Sequence, residues 1–101
     1  ESLLAAFVRR SVRECAEKEP SSGCWIFSAI AEDPDFLEPM KAFHRQLFER
    51  LKADTGDLRT VLLCYLAVEG LRSMHLFDVD ILSRQERDLL LQTLLEIAEK
   101  G

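Results

Sequence analysis

The stretch from Leu62 to Phe77, "LLCYLAVEGLRSMHLF", holds just two residues of the Asp, Glu, Lys and Arg set, Glu69 and Arg72. A helix on the surface of a small domain shows one apolar stripe and one wet face. Projected at about 100° per residue, this one is apolar on almost every side. Leu58, Leu62 and Leu66 fill one sector and Leu63, Ala67 and Met74 a second, while Val61, Cys64, Val68 and Leu71 fill a third. A chain of 101 residues makes one domain, and at that size only about 60–68% of the unfolded surface is buried on folding. Such a helix needs more cover than the chain can supply.

Punctuation along the rest of the sequence predicts an all-α chain of about five to six helices, a single domain over residues 1–101. The first helix spans Ser2 to Glu17, with Leu4, Phe7, Val8, Val12 and Cys15 at three- and four-residue steps. Glu19, Pro20, Ser21, Ser22 and Gly23 break it. A short apolar helix, "CWIFSAIAE", follows from Cys24 to Glu32. Asp33 and Pro34 read as an N-cap and a first-turn proline. Pro39 then predicts one turn, a kink and a regular helix to Asp54, carrying the stripe Phe36, Met40, Phe43, Leu47 and Leu51. Gly56 is a left-handed stop, and Asp57 caps the helix quoted above. In "SRQE", Ser83 and Glu86 form a capping box that opens the last helix. No segment alternates with period two, so no strand is expected.

Several functions are hard to place on this chain. A net charge of −5 argues against the segment gripping nucleic acid by itself, because phosphate neutralisation needs clustered Lys and Arg. No run reaches the ~18 apolar residues of a membrane span. Cys15, Cys24 and Cys64 lack CxxC spacing and sit in apolar patterns, as reduced, buried thiols of a cytoplasmic protein do. His44 lies among Lys41, Arg45 and Arg50 and reads as part of a solvated basic face, while His75 suits a helix C-terminus. Neither has metal-ligand spacing. With no GxSxG and no glycine-rich phosphate loop, no enzyme, metal or cofactor is expected.

Two apolar faces remain. The quoted helix and the last helix are joined by the short "DVDIL" turn and must pack antiparallel, yet each has apolar surface to spare. Pairing with a second copy across a two-fold axis would make a four-helix bundle, with Leu71, Leu90, Leu94 and Ile97 at the dimer interface. Gly70 fits this picture, since a helix-interior glycine costs about 1 kcal/mol relative to Ala and is justified by close helix approach.

The chain resembles the C-terminal regulatory half of TetR-type transcriptional regulators. "ESLLAAFVRR" is similar to the start of the long helix that follows their DNA-binding domain. "AEDPDFLEPMKAF" resembles a turn between middle helices in one subgroup. "LAVEGLRSMHLFDVDILSRQERDLLLQTLLEIAE" resembles that subgroup's last two helices, where "A-x-x-GL" and an "LS-x-x-ER" cap recur. The order and spacing of the three carry the likeness, which spans essentially the whole chain.

The resemblance implies a homodimer built on the last two helices and an effector pocket among the first five helical segments and the quoted helix. It also implies operator binding through an N-terminal helix-turn-helix preceding Glu1. The first helix, as the link to that reader, is expected to be held less firmly than the bundle over Glu1 to Phe7. For the pocket, Trp25, Phe27, Phe43, Leu47 and Tyr65 supply bulky walls, and Tyr65, Ser28 and His44 polar handles. This lining suits a small apolar or aromatic effector. A helical protein–protein interaction module with no small-molecule ligand would show the same two apolar faces and stays open.

Overall fold

A computed structural model of the chain describes residues 2–17, 24–54 and 57–100, with the side chains of all but 17, 24, 25 and 27 among them. It contains five helices in chain order: α1 (Leu3–Glu17), α2 (Cys24–Glu32), α3 (Glu38–Asp54), α4 (Leu58–Leu76) and α5 (Arg84–Lys100). No strand occurs among the described residues. The Pro20–Gly23 break and the Gly56 stop lie outside the described residues.

Caps open three of the five helices. Ser2 Oγ accepts the Ala5 amide at 3.1 Å and opens α1. Asp57 caps α4, accepting the Arg59 amide at 3.1 Å and the Thr60 hydroxyl at 2.7 Å. The Thr60 bond is the main reason its carboxyl stays below the ordinary value. At α5 the capping box forms in both directions. The Ser83 amide donates to Glu86 Oε1 at 2.8 Å, and the Glu86 amide to Ser83 Oγ at 3.1 Å.

The segment around the prolines differs from the expectation. Residues 34–37 form a turn, with the Asp35 amide bonded to Asp33 Oδ1 at 3.0 Å. Pro39 is the second residue of α3 and not an interior kink. There its missing N–H is one of the first-turn donors that has no intrahelical partner anyway.

α1 is the central helix. Leu4, Ala5, Val8, Val12 and Cys15 are buried against α4 and α5, and α3 packs beside α1 and α4. The N-terminal turns of α1 thus contribute Leu4, Ala5 and Val8 to the core. α1, α3 and α5 pack against one side of α4. Its Val61, Cys64, Tyr65, Val68 and Leu71 face inward, while Leu58, Leu62, Leu63 and Leu66 face out.

That choice of face decides the predicted dimer residues. Leu71 and Leu94 are each only 3% exposed. They belong to this chain's own core. Leu90 and Ile97 are half-buried against the same core. On α5 it is Leu89 that stands out into solvent. Gly70 is exposed, and apart from its own stretch of helix no atom of the described residues lies within 4 Å of the place a Cβ would take; close approach among them does not account for it.

Candidate ligand-binding cleft

Alternation of core and non-core positions along α1 leaves one of its faces turned toward α3. Leu3, Ala6, Phe7, Arg10, Ser11 and Glu14 recur there at three- and four-residue steps. The Leu3 amide donates to Asp54 Oδ2 at 2.9 Å, tying the start of α1 to the end of α3, so the two helices run antiparallel. Phe43, Leu47 and Leu51 of α3 and Arg72 of α4 complete the walls of an open cleft of about 460 Å³. That lies within the 300–1,000 Å³ range of small-molecule sites.

Beneath the cleft lies an aromatic and polar cluster. The Phe7 ring stacks on Tyr65, centroids 5.4 Å apart, and Phe48 meets Tyr65 edge-on at the same distance. The Tyr65 hydroxyl is hydrogen-bonded to His44 Nδ1. Burial, with a further push from Glu69 and a partial offset from Arg72, raises the phenol above its ordinary value, so it stays protonated and can donate. The other ring nitrogen, Nε2, lies 3.9 Å from Glu69 Oε2. His44 is therefore a half-buried partner of Tyr65, not a member of the solvated basic face expected from its neighbours.

Arg72 joins this cluster to the cleft. Its Nη2 donates to Ser11 Oγ at 2.7 Å. Glu14 Oε2 stands 3.8 Å from Nη2 and Glu69 Oε1 3.6 Å from Nη1, ion pairs too long to be hydrogen bonds. Arg10 holds the other Glu14 oxygen at 3.1 Å.

Of the residues expected in a pocket, Phe43 and Leu47 line the cleft. Tyr65 supports it from behind Phe7 and is almost fully buried. Ser28 is exposed on α2. Trp25 and Phe27 fall outside the described side chains. Phe7, Arg10, Ser11, Glu14 and Arg72 were not foreseen. The signal for them was present in α1, where Phe7, Arg10, Ser11 and Glu14 share a stripe beside the core stripe, but nothing local says which helix faces it.

Cys15 and Cys64 are free thiols whose burial raises them above their ordinary value, which keeps them as unreactive thiols. Among the described residues, no group of three or more His, Cys, Asp or Glu is placed to hold a metal ion. Nor is any described helix long and apolar enough to cross a membrane.

Comparison with protein families matches residues 1–99 to the tetracyclin repressor-like C-terminal domain. The chain belongs to this family. No curated protein and no solved structure matches it. As a tetracyclin repressor-like C-terminal domain it is a regulatory domain of a transcriptional regulator, and its all-α fold is that of such domains. The cleft then lies against the helix with which the family match begins, since α1 supplies most of its polar wall.

Proposed function

We propose that this tetracyclin repressor-like domain senses a small, largely apolar effector in the α1–α3–α4 cleft, dimerises, and thereby controls a repressor held on operator DNA by an N-terminal domain. It acts in the cytoplasm and carries out no catalysis. The cleft carries this reading: apolar walls from Leu3, Phe7, Phe43, Leu47 and Leu51 surround a few convergent polar groups, the composition of a ligand site.

Coupling follows from position. α1 is at once a wall of the cleft and the central helix of the core. An effector that prefers one spacing of α1 and α3 shifts α1 relative to α4 and α5. In a dimer that shift changes the separation of two DNA readers, whose half-sites lie about 34 Å apart or a multiple of it. Effector and operator then oppose one another by the same free energy.

A ligand that binds only the folded state stabilises it by about 2.7 kcal/mol at a hundredfold excess over Kd. A thermal-shift screen of apolar and aromatic compounds is expected to give concentration-dependent rises in Tm. Those rises should vanish in Leu47→Asp, which places a charge in the cleft wall. Hits unaffected by Leu47→Asp would move the site elsewhere. The exposed α4 face, Leu62, Leu63 and Leu66, favours a second reading, a helical interaction module with no effector. An unrelated coding sequence immediately upstream of Glu1, in place of a helix-turn-helix, would decide for that module.

A further inference from the structure

The cleft has two chemically different ends. From Leu3 to Glu14, α1 lines it over about 16 Å at 1.5 Å per residue. Near the start of α1 the walls are Leu3, Ala6, Leu47 and Leu51, all apolar. Toward the other end stand Arg10, Ser11, Glu14 and Arg72. A molecule that fills the cleft is therefore amphipathic, with its apolar body toward Leu51 and its head beside Arg72.

The charges at the polar end balance. Arg10, Glu14, Arg72 and Glu69 alternate in sign along one chain of ion pairs at 3.1, 3.8 and 3.6 Å. A charged head would bring a fifth charge beside four that already pair with one another, with no opposite charge to spare. Hydrogen-bonding capacity, in contrast, is left over. Among the described residues Arg72 donates one hydrogen bond, to the Ser11 hydroxyl, so guanidinium N–H groups remain for an acceptor. Glu14 Oε2, at 3.8 Å from Arg72, remains for a donor. These donors and this acceptor lie side by side.

We propose, building on the effector reading above, that the ligand is an uncharged amphipathic molecule. Its polar head carries both a hydrogen-bond acceptor and a donor, as a carboxamide does. The head carbonyl accepts from Arg72, the head N–H donates to Glu14, and the alkyl or aromatic body lies along Phe7, Leu47 and Leu51.

Three probes of one chain length separate the terms: octanamide, octanoate and octylammonium, below their micellar concentrations at neutral pH, with affinity read by calorimetry and thermal shift. Octanamide is expected to bind at least about tenfold more tightly than either ion, because only the amide head meets both the Arg72 donors and the Glu14 acceptor. Glu14→Gln removes one negative charge at a half-exposed position, so octanoate should gain about tenfold on octanamide. Arg72→Gln should favour octylammonium in the same way, and the Glu14→Gln series stands alone if that variant does not fold. A wild-type preference for either ion overturns the neutral-head assignment and leaves the cleft reading intact. An order of affinities untouched by Glu14→Gln also overturns it, because the head then lies elsewhere. Failure of all three probes to bind, with no hit in the wider screen, overturns both.

Discussion

Tyr65 and Asp80 show how single side chains tie the helices of this domain together. The Tyr65 hydroxyl is the partner of His44 Nδ1 across the α3–α4 contact, and the ring is held between Phe7 and Phe48. Tyr65→Phe keeps the stacking and deletes the bond, so it should cost about 1 kcal/mol, read as a lower urea midpoint with unchanged slope. Effector affinity should change little, since Tyr65 does not line the cleft. Asp80 accepts the Leu82 amide at 2.9 Å and Arg87 Nη2 at 2.7 Å. The amide first, then Arg87, hold its carboxyl below the ordinary 3.8. A depressed folded value contributes stability above the unfolded value and loses it as pH falls through the folded one. The stability gap between wild type and Asp80→Asn should therefore be constant near neutrality and close as pH falls below about 3.8. A gap that widens in acid would contradict the assignment.

At the level of elements, the turn after α4 contains the one left-handed non-glycine residue among those described, Asp78, with φ of 56°. Its amide bonds to His75 O at 3.2 Å and the Val79 amide to Met74 O at 2.9 Å, the paired closing bonds of a Schellman end. Glycine is the residue this position prefers. Asp78→Gly should raise stability by about 0.5–1 kcal/mol, and a β-branched replacement should lower it; thermal melts of the two distinguish them. Helix ends were legible in the sequence wherever the cap was local: Asp57 with Thr60 and Ser83 with Glu86 are three residues apart. Pro39 was misplaced because a proline near a helix start and one inside it look alike when the start itself is uncertain. The His44–Tyr65 bond joins residues 21 apart, and the partner of Arg72 lies 61 residues away on α1. Those depend on how helices are laid against each other, which periodicity does not encode. For α4 the difficulty was greater. With apolar residues on every side, its pattern named no inner face, and the packing of α1 made the choice.

On the scale of the whole molecule, that choice turns the spare face of α4 into the means of testing dimerisation. Leu66 is 65% exposed and Leu94 is 3% exposed, though both are leucines on the last two helices. If a second copy covers the outward side of α4, Leu66→Glu places a charge in the interface and none in the core of the folded chain. It should leave helical content and the cleft intact and convert dimer to monomer in sedimentation at micromolar concentration. Obligate interfaces bury 2,000 Å² or more and are rich in apolar contacts, so one unpaired charge there is enough to shift the equilibrium. Leu94→Glu places the same charge among Cys64, Ala98 and the α1 side chains, where an unpaired ion costs several kcal/mol. That variant should lose its cooperative melt by circular dichroism. Folded monomer from Leu66→Glu beside unfolded chain from Leu94→Glu is the expected pair. A wild-type protein that sediments as a monomer, or a Leu66→Glu variant that remains dimeric, would remove α4 from the interface.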